Sequence, residues 1–189
     1  MTTWRVGARV LVAAMTALLA LSCATVREKT DTYVLSPQGP PVPPLQAWLR
    51  TVEVVSNNLP LSEDYGLIRD SLSAIASRHG VSLSSVQAGQ PWVIDLVVHQ
   101  HSYTVDLATS SDVMAVLNLN PAPGDAASAV RVVYSAVTPD SAVSLYQVTE
   151  IAEKVFGSLA ASLDAEVKAR AKADADARQA AAAAQAGSP

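Results

Sequence analysis

WVIDLVVHQHSYTVDL, residues 92–107, follows a Gly89-Gln90-Pro91 break and is dense in β-branched and aromatic residues, the composition of a strand rather than a helix. Trp92, Ile94, Leu96 and Val98 share one parity; Tyr103, Val105 and Leu107 share the other. Side chains alternate with a period of two along a strand, so both sets reach one face only if a bulge or bend lies near Gln100. Asp95, His99 and His101 fall opposite the first apolar set, so the second face of the sheet is expected to be the more polar one.

Strand signals continue on either side. Val113 to Leu119 follows the turn residues Thr109-Ser110-Ser111-Asp112, and Val130, Val132, Tyr134 and Ala136 alternate with Arg131 and Ser135 up to Thr138-Pro139-Asp140. Upstream, Leu45 to Val55 (LQAWLRTVEVV) alternates, and its second half reads as the first strand, closed by Ser56-Asn57-Asn58. Ser62-Glu63-Asp64 opens a helix in which Tyr65, Ile68, Leu72, Ile75 and Ala76 recur at helical spacing, with Arg78, His79 and Gly80 at its end. A second helix starts near Ser141, with Leu145, Val148, Ala152, Val155, Leu159 and Leu163 as one stripe and Ile151 and Phe156 beside it.

After Leu163 the apolar stripe stops. Residues 164–178 are alanine mixed with charges, with opposite charges four apart, as in Asp164 with Lys168 and Glu166 with Arg170. Such pairs add about 0.2–0.5 kcal/mol each to a helix. The tail over 164–189 is therefore expected to be a solvated helix that then becomes disordered. The order strand, helix, three strands, helix predicts an α+β domain over 45–163: a two-layer sandwich of about four mostly antiparallel strands with two helices on one face.

The start of the chain has a different character. Residues 1–9 carry Arg5 and Arg9 without an acid, and Val10 to Leu21 is an uncharged apolar run. Such a run spans about 18 Å as a helix, too short for a bilayer core of about 30 Å, so residues 1–22 read as a signal peptide. It ends in Ala20-Leu21-Ser22-Cys23, which resembles the lipobox of bacterial lipoproteins. The resemblance implies cleavage between Ser22 and Cys23, a diacylglycerol on the Cys23 sulfur, and acylation such as palmitate on the new amine. Two or three acyl chains anchor stably. Thr25 is not the aspartate that retains such proteins in the inner membrane, which favours the outer membrane, facing the periplasm. The same residues also satisfy the small-x-small rule of ordinary secretion, which would leave Cys23 a free thiol.

Residues 23–44 read as the lipidated cysteine and a tether: five prolines lie within 37–44 and favour an extended spacer. Inside it, Tyr33-Val34-Leu35 is an apolar island that ends before Pro37, which reads either as a short edge strand ending at the proline or as a few scattered apolar residues in a linker. Cys23, the Tyr33-x-Leu35-x-Pro37 motif and the element order together resemble the ABC-type transport auxiliary lipoproteins, envelope proteins that accompany intermembrane lipid transport. The order is also similar to that of the outer-membrane lipoprotein of lipopolysaccharide assembly and the lipoprotein activators of penicillin-binding proteins. The resemblance implies a membrane-anchored accessory subunit with protein partners in an envelope complex.

Charge and chemistry narrow the function classes. The chain has 13 basic and 17 acidic residues. Without Arg5 and Arg9 the balance is 11 against 17, or −6, which argues against nucleic acid as a partner. His79 suits a helix C-terminus. His99-Gln100-His101 has a spacing that a metal site uses, with Asp95 as a third candidate ligand, although the expected bulge would separate them. No nucleophile elbow or glycine-rich phosphate loop is present, and no cofactor is implied. A non-catalytic envelope lipoprotein therefore ranks first. A periplasmic lipid- or small-ligand-binding module, which needs an apolar cavity between helices and sheet, ranks second, and a metal-dependent enzyme using His99 and His101 third.

Overall fold

A computed structural model describes residues 27–35, 41, 43–57, 59–60, 65–105, 108–122, 129–138 and 145–186. The expected signal peptide over 1–22, Cys23 and Pro37 lie outside these described residues. The elements are β1 (Arg27–Val34), β2 (Leu45–Ser56), β3 (Leu59–Pro60), α1 (Tyr65–Arg78), β4 (Val81–Ser84), β5 (Trp92–Val105), β6 (Ala108–Pro121), β7 (Val130–Thr138) and α2 (Leu145–Ala186). The strands form one seven-stranded sheet in the order β1-β7-β6-β5-β2-β3, with β4 also on β2. β2 runs parallel to β4 and β5, and the other pairs are antiparallel.

The α+β, two-layer architecture is the expected one, with seven strands rather than about four. The additional strands are β1, β3 and β4. β3 and β4 have 2 and 4 residues, too few to show a period. β1, REKTDTYV, carries charge along an outer edge, where charged residues block further strand pairing and no apolar pattern is required. Residues 27–34, expected in the tether with an edge strand as one reading of 33–35 only, are thus part of the sheet from Arg27 onward. The proline-rich stretch after them joins β1 to β2 rather than joining an anchor to the domain.

The core lies on one face. Ile94, Leu96 and Val98 of β5 register with Leu119, Leu117 and Ala115 of β6, which register with Val130, Val132 and Tyr134 of β7. Ile68, Leu72, Ile75 and Ala76 of α1 and Val148, Ile151, Ala152, Val155, Phe156, Leu159 and Leu163 of α2 complete the same buried cluster. Phe156, Leu96, Leu117 and Leu119 are fully buried, so side chains fill the layer between helices and sheet.

The bulge is in a different strand from the expected one. β5 pairs with β6 without a shift from Trp92 to Val105. The irregularity is in β2, between Leu49 and Thr51. It lets Leu45, Ala47 and Leu49 face the core before Arg50, and Val52 and Val54 after it. Gln100 keeps the inward parity of β5 and is buried because its amide is satisfied: Oε1 accepts from Ser56 Oγ at 2.9 Å and Nε2 donates to Ser111 Oγ at 3.0 Å. Tyr103 has the opposite parity, stands on the face away from the core and donates its hydroxyl to Asp112 Oδ1 at 3.3 Å, so its parity marks no turn of the strand.

Two polar clamps fix α2. At the end of α1, Arg78 and His79 both bond Glu153, His79 Nε2 at 2.7 Å. Arg78 first, then His79, holds the Glu153 carboxyl below its usual range. Gly157 leaves room for the His79 ring, whose Cε1 would stand 3.4 Å from an added Cβ. On β1 and β7, Glu28 bonds Lys154 and Tyr134, and the Lys154 ammonium sits 5.4 Å from the Tyr134 ring centroid. Burial, then the Glu28 charge, pushes the Tyr134 hydroxyl up to about 12. The 42 residues of α2 continue unbroken past Leu163 to Ala186, with residues 171–183 exposed throughout. No described helix is long and apolar enough to cross a membrane.

Leu96→Ala should cost about 2–5 kcal/mol in urea unfolding, the range for buried leucine truncation. The raised Tyr134 pKa favours folding below the ordinary tyrosine value of 10 and ceases to do so as pH rises toward 12. Thermal unfolding of the parent should therefore weaken between pH 10 and 12 by about 2 kcal/mol more than that of Tyr134→Phe.

Candidate functional site: the open face of the sheet

The residues alternating with the core set point away from both helices. Val133, Val116 and Val97 form a row across β7, β6 and β5, with Asp31 of β1 at one end and Glu53 of β2 at the other. The next row is Lys29, Ser135, Met114, His99 and Val55, and the one after it Arg27, Val137, Asp112 and His101. The face thus has an apolar centre and a charged or polar margin. Met114 is 44% exposed and Val137 41%, unusually open for large apolar side chains in the middle of a sheet. Between β1, β7 and β6 this surface dips into a hollow of about 320 Å³ whose lining includes Arg27, Lys29, Asp112, Met114, Ser135 and Val137.

On the other side of the valine row the face is knitted together by polar bonds. The β2 bulge turns Arg50 onto this face, where Nε and Nη2 donate to the Asp95 carboxylate at 2.9 and 2.6 Å. Asn120 Nδ2 donates to the same carboxylate at 3.1 Å, and Arg131 Nε donates to Asn118 at 2.8 Å. Arg69 of α1 reaches over the strand edge and donates to the carbonyls of Leu49 and Arg50 at 3.2 and 3.4 Å. Two-point binding of a carboxylate by a guanidinium is geometrically exacting. Here it stiffens the face at the point where the ladder is irregular.

The candidate residues from the sequence distribute as follows. His99 and His101 share the open face, because β5 has no bulge between them, and both are exposed. Asp95 is on the same face, but its oxygens are held by Arg50 and Asn120. Among the described residues no group of three or more His, Cys, Asp or Glu converges on a metal position. Tyr33 stands on the open face in register with Arg131, and the Leu35 amide donates to the Ala129 carbonyl. These two are 48% and 50% exposed. Arg50 and its partners carried no local signal, since ion pairs 45 residues apart become visible only once β2 and β5 are paired.

No protein-family model matches the chain, and no curated protein matches it. Solved structures similar to it include a PelC variant dodecamer from Paraburkholderia phytofirmans, with TM-score 0.46 and 13% identity, over 69% of this chain and 96% of that one. A second PelC dodecamer of the same organism has TM-score 0.45 and 12% identity, over 72% and 97%. A Xanthomonas campestris protein of the DUF330 family has TM-score 0.37 and 11% identity, over 76% and 94%.

Proposed function

We propose that the chain is a non-catalytic lipoprotein of the bacterial envelope, anchored through Cys23 to the outer membrane on its periplasmic side, and an accessory subunit of a transport or assembly complex. The observation that carries this reading is the uncovered sheet face. An apolar centre of Val97, Val116, Val133, Met114 and Val137, rimmed by Arg27, Lys29, Asp31, Glu53 and Asp112, has the anatomy of a protein interface. Its β1 margin carries Arg27 and the Lys29–Asp31 pair, 2.7 Å apart, and its β2 margin Glu53, charges a partner would have to match. The Ala20-Leu21-Ser22-Cys23 sequence supports the anchor, and the resemblance to transport auxiliary lipoproteins supports the kind of complex. The filled layer between helices and sheet favours a docking role over enclosure of a lipid.

The test is recovery of partners from detergent-extracted envelopes of the native host. Transport or assembly subunits should accompany the parent protein reproducibly. Val116→Glu should reduce their recovery about tenfold, a loss of about 1.4 kcal/mol, with thermal unfolding unchanged. Equal recovery by the variant removes the face from the reading, and no reproducible partner removes the accessory role. Intact mass should show acyl addition that Cys23→Ser abolishes.

A further inference from the structure

Because β5 runs straight, His99 and His101 stand on one face, about 6.6 Å apart along the strand. β6 sets a side chain opposite each of them: Met114 registers with His99, and Asp112 with His101. Side chains directly opposed on a sheet have Cβ atoms about 4.5–5.5 Å apart. Two imidazoles and a thioether therefore share one small patch, and all three side chains are exposed. The imidazoles take no part in the bonds that tie Asp95 to Arg50 and Asn120. The Asp112 carboxylate accepts from the Tyr103 hydroxyl at 3.3 Å, so it borders the patch without joining the imidazoles as a third hard ligand. The pairing of β5 with β6 is unshifted from Trp92 to Val105, so the backbone fixes the spacing of the group.

From this juxtaposition we propose that His99, His101 and Met114 form a binding site for monovalent copper, with the two imidazoles as a chelate and the thioether as the third ligand. The donor set decides the metal. A thioether selects soft cuprous copper, and imidazole serves copper as well as zinc. Zinc sites draw three or four ligands from imidazole, thiolate and carboxylate, and here that supply stops at two imidazoles. Met114 is 44% exposed, and its unbranched, polarizable side chain is free to swing along the surface toward the imidazoles. The electrostatics admit a cation. Lys29, the nearest base in the Met114 row, is two strand spacings or about 10 Å away and is paired with Asp31 at 2.7 Å. Asp112 places an acid beside the patch. The site shares Met114 with the proposed docking face but depends neither on that reading nor on the lipid anchor.

The chain has one cysteine, and N-ethylmaleimide caps it wherever its thiol is free, so no thiolate contributes to metal binding. Detergent-extracted full-length protein, capped in this way, is titrated under nitrogen with cuprous ion and ascorbate in competition with bicinchoninate. The parent should withdraw one copper per chain from the chelator. Met114→Leu should weaken cuprous binding about tenfold or more while leaving zinc binding unchanged, and the double variant His99→Ala, His101→Ala should abolish both. X-ray absorption at the copper edge of the loaded parent should show one sulfur neighbour beside nitrogen, a readout that needs no variant to fold. Failure of the parent to compete with bicinchoninate overturns the proposal. So do equal cuprous affinity in Met114→Leu, retention of copper by the double histidine variant, and a copper shell without sulfur. The docking reading survives each of these results, because partner recovery is measured without copper.

Discussion

The fold depends on the uninterrupted two-residue alternation of β5. Held between β2 and β6, this strand sends Ile94, Leu96, Val98 and Gln100 to one side and Asp95, Val97, His99 and His101 to the other. A slip of one residue would exchange the two sets and place charge against the helices. Both helices cover the first side, so the second is left open. The parallel pairing of β2 with β5 follows from the intervening α1, since parallel neighbours need a crossover and a helix supplies one. The bulge at Arg50 is the adjustment that brings both halves of β2 into step with this strand. It also delivers the guanidinium that binds Asp95, so one irregularity serves the core and the outer face together.

Much of this was legible from spacing. The Ile68-Leu72-Ile75 stripe, the longer stripe from Val148 to Leu163 and the alternation of β7 each carry their own burial signal, because each faces the core along its whole length. β1 carried one only at its end, where the Tyr33-Val34-Leu35 island offered an edge strand as one reading; the rest, REKTD, reads as a polar linker because at the edge of the sheet its pairing is set by backbone bonds to β7. The expected bend near Gln100 rested on the assumption that every apolar residue of 92–107 faces one core. The core ends at Gln100, where a buried amide bonded to Ser56 and Ser111 closes the layer. Past that point the apolar residues belong to an overhang and answer to other surroundings. Of the candidate site, the polar sheet face carrying Asp95, His99 and His101 was readable, but its valine centre was not. Val97, Val116 and Val133 are far apart in sequence and meet only through register.

The two faces of the sheet place different demands on their residues. On the helix side, packing fixes identity, and the polar groups at the margin are partnered, as buried Tyr134 is with the more exposed Glu28 and Lys154. On the open side, valines lie beside charges with no covering element among the described residues. The broad face offers area and a charged margin to the proposed docking role.

The second helix is one continuous rod with two different sources of support. Through Leu163 its turns are held by tertiary burial; from Asp164 onward they depend on alanine propensity and on pairs such as Glu166 with Arg170, which bond at 3.1 Å. Helix formation without burial is only weakly favourable at this length and is sensitive to temperature and ionic strength. The distal half is therefore thermodynamically uncoupled from the domain. Its amides would exchange with solvent orders of magnitude faster than those around Phe156, and it would unwind and rewind while the sheet stays intact.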